Sequence, residues 1–338
     1  MIDVLVVDDS AFMRKVLSDG LNEDPEINVV DSAGGGKEAV EKTELLRPDV
    51  VTMDVEMPGM DGIKAVREIM KRQPTSIVMV SAYTRRGAEK TIQALEAGAI
   101  DFVEKPGGTI SLNIKDVQEE IIKKVKIASK ANLKGTKKKI GPIQIHKTGE
   151  KTLIIIAAST GGPKAITLLF KRLPQDFTSS IIVVQHMPQG FTKAFAKRLD
   201  EHSSITVREA KDGDSLKNGE ALIAPGDFHL EIGKDERVKL NKRPPLHGVR
   251  PSADITMNSA SDVFNGDIIG IVLSGMGKDG SIGIRNIKRR GGTIISQDEE
   301  TAVVYGMPKA ALDSKCVDYV LPIEEIADKL VEMVKKNV

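Results

Sequence analysis

The stretch LIIIAASTGGP, residues Leu153 to Pro163, decides the fold of the second half of the chain. It begins as an uninterrupted apolar run, which is typical of a buried parallel strand. The run breaks at Ser159-Thr160-Gly161-Gly162, and Pro163 opens a helical pattern, a position where proline is common. The stretch therefore predicts a strand, a turn and a helix, with Ser159 at the edge where open α/β sheets bind ligands.

Ser159 is a candidate nucleophile. The two glycines allow a substrate to approach the backbone closely, and free amides at a helix start favour an anion or an oxyanion. The same loop is also consistent with a phosphate cradle, or with a tight turn that carries an N-cap serine. The loop alone leaves these alternatives open.

The composition predicts two domains and a cytoplasmic location. The chain has 338 residues, 40% of them hydrophobic, and a net charge of +1, so no global field favours nucleic acid or membrane. The single cysteine, Cys316, excludes an intrachain disulfide and a cysteine-based metal cluster. Asp3 makes the sequence acidic too early for a signal peptide, so none is expected. Membrane insertion is not expected either, because the sequence lacks a long apolar run.

Residues 1–124 alternate strictly between strand and helix patterns, which predicts a doubly wound parallel sheet. Ser10 is expected to cap the first helix, with Phe12, Val16 and Leu17 facing inward. The predicted strands are Val4 to Val7, Ile27 to Val30, Val50 to Met53, Ile77 to Val80 and Phe102-Val103.

Polar residues follow the predicted strands of this first domain at matching ends: Asp8, Asp9, Asp54, Ser81 and Lys105. The carboxyl ends of parallel strands share one edge, so these side chains are expected to converge. Carboxylates in one pocket invite a hard divalent cation, and Mg²⁺ suits best. A carboxylate beside Mg²⁺ and a lysine can attack phosphorus. A single such Asp is usually a helix cap, but the repeated placement weakens that interpretation.

This domain resembles the receiver domain of two-component response regulators along its whole length. The motifs that carry the resemblance are VVDDS at Val6 to Ser10, MDVEMPGMDG at Met53 to Gly62, SAYT at Ser81 to Thr84 and DFVEKP at Asp101 to Pro106. The resemblance implies a flavodoxin-like fold and phosphorylation of Asp54 by a histidine kinase.

The same resemblance implies roles for the residues around Asp54. Asp9 and Asp54 would ligate Mg²⁺, with Asp8 in support and Glu56 offering its backbone carbonyl. The phosphoryl switch would use three further residues: Ser81 and Lys105 to sense the phosphoryl group, and Phe102 at the aromatic switch position.

Residues 125–151 are predicted to form a flexible basic linker. Apolar periodicity fades there, and the run KGTKKK, Lys134 to Lys139, is followed by Gly141-Pro142. A solvated tether is the favoured interpretation. A patch for nucleic acid or an acidic partner is the alternative, which the absence of interleaved aromatic residues disfavours.

Residues 152–338 are predicted to form a second doubly wound parallel sheet, Rossmann-like, with one antiparallel hairpin from His229 to Leu240. In this domain Ser159, His186 and Asp279 each follow a buried apolar strand. A serine, a histidine and a carboxylate at one sheet edge can form a catalytic triad. Taken singly, His186 could be a satisfied loop histidine and Asp279 an N-cap; their coincidence with Ser159 favours catalysis.

The second domain resembles the catalytic domain of the chemotaxis protein-glutamate methylesterases. The matching stretches are ASTGGP at Ala158 to Pro163, QHMP at Gln185 to Pro188, APG at Ala224 to Gly226, RPSAD at Arg250 to Asp254, LSGMGKDG at Leu273 to Gly280 and VVYGMPKAA at Val303 to Ala311. The triad then carries over as Ser159, His186 and Asp279. The oxyanion would be held by backbone amides, with Thr160 and Met276 as candidates.

This resemblance implies a hydrolase that demethylates glutamate γ-methyl esters on the cytoplasmic helices of chemoreceptors. Some family members also deamidate receptor glutamine. The esterase would need no cofactor, and phosphorylation of Asp54 would relieve inhibition by the receiver domain. Two rival functions are disfavoured. A nucleic-acid-binding output lacks a helix-turn-helix pattern, and a nucleotide-binding module lacks G-x-G-x-x-G or a Walker lysine in the STGG loop.

Overall fold

A computed structural model describes residues 1–82, 84–105, 114–133 and 151–334 of the chain. It divides the chain into two compact units, Met1–Leu133 and Lys134–Val338, which we call the first and second units. Residues 134–150, most of the predicted linker, lie outside the described residues.

The first unit alternates between strands and helices, as predicted. Its described elements are β1 (Ile2–Val7), α1 (Ala11–Asn22), β2 (Ile27–Ala33), α2 (Gly36–Leu46), β3 (Val50–Asp54), α3 (Gly62–Arg72), β4 (Ser76–Ser81), α4 (Arg85–Ala97), β5 (Asp101–Glu104) and α5 (Ile114–Ala128). The strands pair in parallel in the order β2-β1-β3-β4-β5. This order is that of the flavodoxin-like fold, which confirms the predicted fold of the first unit.

The first helix corrects one prediction. Ser10 caps α1 by accepting from the Met13 N–H, as expected. Phe12, predicted to face inward, is instead 63% exposed, while Leu17 and Leu21 are buried. Leu17 and Leu21 lie one helical turn apart and define the buried stripe, and Phe12 is not three or four residues from either of them.

The second unit is built around a larger parallel sheet. Its described strands are β6 (Thr152–Ala158), β7 (Ser180–Gln185), β8 (Thr206–Glu209), β9 (Glu220–Ile223), β10 (His229–Ile232), β11 (Val238–Asn241), β12 (Asp267–Val272), β13 (Thr293–Gln297) and β14 (Tyr319–Leu321). Its helices are α6 (Gly162–Phe170), α7 (Phe191–His202), α8 (Ala253–Val263), α9 (Gly283–Arg289), α10 (Met307–Asp313) and α11 (Ile323–Val334). Seven strands pair in the order β14-β13-β12-β6-β7-β9-β8, and β10 pairs with β11 as an antiparallel hairpin.

Burial explains why the central strands read as apolar runs. Every residue of β6 and of β7 is buried, because helices cover both faces of the parallel sheet. One layer of the core joins β6 and β12 to the hairpin and to α8, with Met257 and Phe264 among its largest side chains. The edge strand β14 was not predicted, because only Leu321 of its three residues is buried and so short a strand gives little periodicity.

The strand orders fix where a ligand can bind. In the first unit the order reverses between β1 and β3, and in the second between β6 and β12. Such a reversal opens a crevice at the carboxyl ends of the two strands. In the part of the chain that the structure describes, no helix combines the length and the apolar character needed to cross a membrane.

Candidate functional site

The crevice of the first unit gathers three carboxylates. Asp8 and Asp9 follow β1, and Asp54 ends β3; each offers an oxygen within 4.8 Å of the others. The Lys105 ammonium lies 2.7 Å from Asp8 Oδ2 and 2.9 Å from Asp54 Oδ2. The cluster keeps a net negative charge and is rich in oxygen, so its donor set suits Mg²⁺.

Asp54 is buried, with only 4% of its surface exposed. Burial raises the pKa of Asp54 above its ordinary value, the Lys105 ion pair opposes this, and the charge of Asp8 raises the pKa further. One backbone donor, the Glu56 N–H, reaches Asp54 Oδ1 at the long distance of 3.4 Å. The Asp54 carboxylate is therefore poorly satisfied for a buried group.

The predicted switch residues lie at neighbouring strand ends. Ser81 ends β4 and is fully buried, and its hydroxyl is hydrogen bonded to Thr91 Oγ1 at 2.7 Å. The Lys105 N–H donates to Ser81 O at 2.7 Å, which ties the two strand ends together. Phe102 is buried in β5, with the Lys124 ammonium 5.1 Å from its ring centroid.

Glu56 turns its side chain away from the carboxylate cluster. Its Oε1 accepts from Lys90 at 2.7 Å and lies 3.6 Å from Arg86. This arrangement is compatible with the predicted use of the Glu56 backbone carbonyl, since the side chain is engaged by the basic residues of α4.

In the second unit, strand register brings Ser159 beside His186. The last paired residues of β6 and β7 are Ala158 and Gln185, and Ser159 and His186 follow them directly. The backbone N–H of His186 donates to the carbonyl of Ala158 at 3.1 Å, so the hydrogen bonding between the two strands extends one residue past β7. The two candidate catalytic residues therefore leave the sheet side by side.

Asp279 is hydrogen bonded to the imidazole ring of His186. His186 Nε2 lies 2.8 Å from Asp279 Oδ2. Asp279 is 3% exposed, and burial would raise its pKa, but hydrogen bonds from His186, Ser252 and the Ala253 N–H outweigh burial and hold the pKa below its ordinary value. An ionised Asp279 fixes the imidazole tautomer with the proton on Nε2, which leaves Nδ1 to accept a proton.

The structure records no hydrogen bond from the Ser159 hydroxyl to His186 within the described residues. Catalytic hydrogen bonds are often long without substrate and tighten when it binds. Ser159 itself is fixed through its backbone, since its N–H donates to Ser274 O at 3.0 Å and its carbonyl accepts from the Gly162 N–H at 2.7 Å.

Gly161 and Gly275 lie near the candidate nucleophile at positions where a side chain would clash with neighbouring loops. A Cβ on Gly275 would lie 2.3 Å from Met307 Sδ and 2.8 Å from Ser159 Cβ. Gly161 has φ +76°, and a Cβ there would lie 2.6 Å from Val303 Cβ. The loops after β6 and β12 can approach each other this closely only without those side chains.

The candidate oxyanion donors lie in these same loops. Met276 follows Gly275 and is 42% exposed, and its N–H makes no hydrogen bond to another described residue. The neighbouring N–H groups of Ser159 and Gly275 are used within the protein, by Ser274 O and Val304 O. Thr160 is buried directly after Ser159, and its carbonyl accepts from the Ser274 hydroxyl at 2.8 Å.

Sequence reasoning missed two residues that are hydrogen bonded to members of the candidate triad. Gln185 is 2% exposed, and its Nε2 donates to the carbonyls of both Ser159 (3.0 Å) and His186 (3.3 Å). Ser252 donates from Oγ to Asp279 Oδ1 at 2.7 Å. Both residues lie in quoted motifs, QHMP and RPSAD, and a polar residue in a wholly buried strand was the signal for Gln185.

Comparisons with known proteins agree on one family. Residues 154–330 match the family described as CheB methylesterase, and residues 4–114 match the response regulator receiver domain. A protein-glutamate methylesterase/protein-glutamine glutaminase of Pyrococcus horikoshii is 49% identical over 346 residues, which cover 99% of this chain and 94% of that protein. The protein of the same name from Thermotoga maritima is 46% identical over 341 residues, which cover 99% of both chains.

One solved structure resembles the second unit. The crystal structure of the Thermotoga maritima CheB methylesterase catalytic domain matches with a TM-score of 0.53 and 44% identity. The match covers 54% of this chain and 99% of that domain.

Proposed function

Since the chain belongs to the CheB methylesterase family, we propose that it hydrolyses glutamate γ-methyl esters on chemoreceptors and that phosphorylation of Asp54 activates it. The observation that carries the catalytic part is the hydrogen bond between His186 and the ionised Asp279, at the sheet edge where Ser159 follows its strand. The substrate is a receptor protein, and the products are glutamate and methanol.

The side chains divide the reaction between them. Ser159 Oγ attacks the ester carbonyl while His186 Nδ1 takes its proton, and Asp279 stabilises the imidazolium that forms. Backbone N–H groups of Met276 and Thr160 hold the oxyanion. Methanol leaves with the proton from His186, and water then attacks the acyl-enzyme by the reverse route. These groups suffice for ester hydrolysis, so the esterase needs no cofactor.

Receptor glutamine is the second substrate in this proposal. The relatives from Pyrococcus horikoshii and Thermotoga maritima are both named as glutaminases as well as methylesterases. The same attack by Ser159 on a primary amide releases ammonia in place of methanol. The amide is the poorer electrophile, so deamidation is expected to be the slower reaction.

The first unit is proposed to receive the activating phosphoryl group from a histidine kinase. Asp54 is the acceptor, and Asp8, Asp9, Asp54 and the Glu56 carbonyl would hold Mg²⁺. When bound, Mg²⁺ neutralises charge on the phosphoryl oxygens. The Lys105 ammonium already contacts the Asp54 carboxylate and can bind the phosphoryl group once it is attached. Ser81 and Phe102 would change conformation in response.

The proposed organisation is a receiver domain, a linker that ends at residue 151 and a catalytic domain at 152–338. The linker predicted at 125–151 begins later than residue 125, because α5 continues to Ala128 and buries Val125 and Ala128. The protein would act in the cytoplasm on receptor helices, with neither nucleic acid nor membrane insertion as part of its function. Control by the receiver requires that its two states differ in free energy of contact with the catalytic domain.

The test is methanol release from methylated receptor membranes, with and without a small phosphodonor. We expect a basal rate that the phosphodonor raises. A fragment of residues 151–338 is the matched control, because it keeps the whole second sheet and lacks Asp54. The fragment should ignore the phosphodonor and exceed the unphosphorylated full chain. No methanol from any form would overturn the proposed activity, and a slower folded fragment would overturn inhibition by the receiver.

A further inference from the structure

A second buried carboxylate, Asp254, lies behind Asp279. Asp254 is fully buried in the first turn of α8. Its Oδ1 accepts from the N–H groups of Ile282 (2.9 Å) and Gly283 (2.7 Å). These two residues directly follow the loop that carries Asp279, so Asp254 fastens that loop to α8.

The attachment is reciprocal. Asp279 Oδ2 accepts from the Ala253 N–H at 2.7 Å, and its Oδ1 accepts from the Asp254 N–H at 3.1 Å. Asp279 thus satisfies the free amides at the start of α8, the position that a capping serine usually fills. Ser252 holds the N-cap position, but its hydroxyl is turned to Asp279. Each carboxylate therefore holds the element that carries the other.

His247 completes this group. Its Nε2 lies 3.2 Å from Asp254 Oδ2, and the ligand atoms of His247, Asp254 and Asp279 all lie within 4.8 Å of one another. Such a group could be taken for a metal site. However, each of the four carboxylate oxygens already faces a nitrogen or hydroxyl group of the protein, so the arrangement is a hydrogen-bonded network.

We propose that Asp254, held by His247, is a positioning residue that keeps the Asp279 carboxylate aimed at His186. The inference rests on the triad assigned under the proposed function. Asp254 touches neither substrate nor the reacting atoms. It acts by fixing the loop of Asp279 against α8, since a small displacement of a catalytic group is costly to the chemical step.

The experiment measures kcat and KM for methanol release over a range of methylated receptor membranes, per folded molecule of full-length protein. Asp254→Ala removes both acceptor oxygens and is expected to lower kcat by about 100-fold, with KM changed less than about twofold. Asp254→Asn keeps one oxygen for Ile282 and Gly283 and should recover to within about tenfold of the parent. A residue that only stabilised the fold would leave kcat per folded molecule unchanged.

Two further variants keep the test decisive. His247→Asn removes the imidazole, and asparagine tolerates the φ of +55° found there; we expect kcat to fall about tenfold, as for other groups that orient a reacting side chain from behind. Asp318→Ala is the matched control. Asp318 also accepts a backbone N–H, from Ile294 at 2.8 Å, but at the amino end of β13.

The outcomes separate the two proposals. Parent kcat in folded Asp254→Ala, with Ser159→Ala inactive, overturns the positioning role alone. If Asp254→Ala fails to fold, parent kcat in His247→Asn overturns it. Equal losses in Asp254→Ala and Asp318→Ala would also overturn it, because the effect would then not depend on Asp279. Activity retained in Ser159→Ala would instead overturn the triad.

Discussion

The two crevices of the molecule each hold a buried aspartate, and the two aspartates behave in opposite ways. Asp54 and Asp279 are 4% and 3% exposed, and both lie beside the reversal point of a parallel sheet. Burial raises the pKa of Asp54, which stays high, whereas the hydrogen bonds around Asp279 overcome burial and hold its pKa below the ordinary value. The extent of burial alone therefore does not determine whether the pKa of a carboxylate is raised or lowered.

The difference lies in the donors that each carboxylate receives. Asp279 accepts from His186, Ser252 and two backbone N–H groups at the start of α8. Asp54 has the Lys105 ion pair, one long backbone contact, and the like charge of Asp8 beside it. A fully satisfied carboxylate can orient a neighbour, while a poorly satisfied one keeps lone pairs for a phosphoryl group and a cation.

The largest effect is expected from removing Ser159, the proposed nucleophile of the second crevice. Ser159→Ala should lower methanol release by about 10⁶-fold, because the members of a catalytic triad act as a unit and only substrate binding and the proposed oxyanion site would remain. The same variant should still take up phosphate at Asp54, since the two sites belong to different sheets. The measurements are methanol release and acid-labile phosphate on one preparation.

Ser203→Ala is the control for this variant, because Ser203 is the C-cap of α7 and has no part in the triad. It should match the parent in both assays. An esterase rate near the parent level in Ser159→Ala would remove Ser159 from the mechanism and break the contrast between the two crevices.

The same isosteric change at the two aspartates sharpens the comparison. Asp279→Asn should lower the esterase rate by about 10⁴-fold through loss of tautomer control. Asp54→Asn should keep the unstimulated rate and lose stimulation by phosphodonor, because the proposed role of Asp54 is only to supply the phosphate-accepting oxygen. Stimulation of Asp54→Asn to the parent level would point to another acceptor.

The sequence predicted which residues come together at each site, because strand topology alone determines that grouping. Ser159, His186 and Asp279 could be grouped because parallel strands end at one edge and apolar runs mark the strands. The hydrogen bonds of Asp279 could not be predicted, since Ser252 and Ala253 lie at the start of α8, 27 and 26 residues earlier in the chain, and reach Asp279 only through packing. Gln185 was missed for a related reason: its partners are backbone carbonyls, which no side-chain pattern reveals.

A smaller effect is expected at Gln185. Gln185→Glu keeps the shape but loses the amide N–H groups that face the Ser159 and His186 carbonyls, so we expect a loss of about 1–3 kcal/mol in the free energy of unfolding. The esterase rate should fall as well, because the carbonyls of Ser159 and His186 both lose a hydrogen-bond donor. Denaturant unfolding and methanol release are the measurements.

Gln175→Glu makes the same change of charge at an exposed residue before β7 and should leave both quantities at the parent level. If the two variants behaved alike, the amide of Gln185 would have no special part in holding the catalytic residues.

The smallest expected effect is a difference in how Asp279 and Asp54 make the stability of the protein depend on pH. The pKa of Asp279 lies below its ordinary value of 3.8, so this residue contributes stability that is present above pH 3.8 and is lost as the pH falls through the lowered pKa. The pKa of Asp54 lies above 3.8, so its ionisation costs stability as the pH rises from 3.8 through the raised pKa.

Calorimetric unfolding of the full chain, compared with each Asp→Asn variant over acid to neutral pH, measures both. The deficit of Asp279→Asn should shrink only on the acid side of pH 3.8, and any gain of Asp54→Asn should grow only above it. Parallel difference curves would mean that the donors do not distinguish the two carboxylates, and the assignment of one as acceptor and the other as orienting group would lose its electrostatic basis.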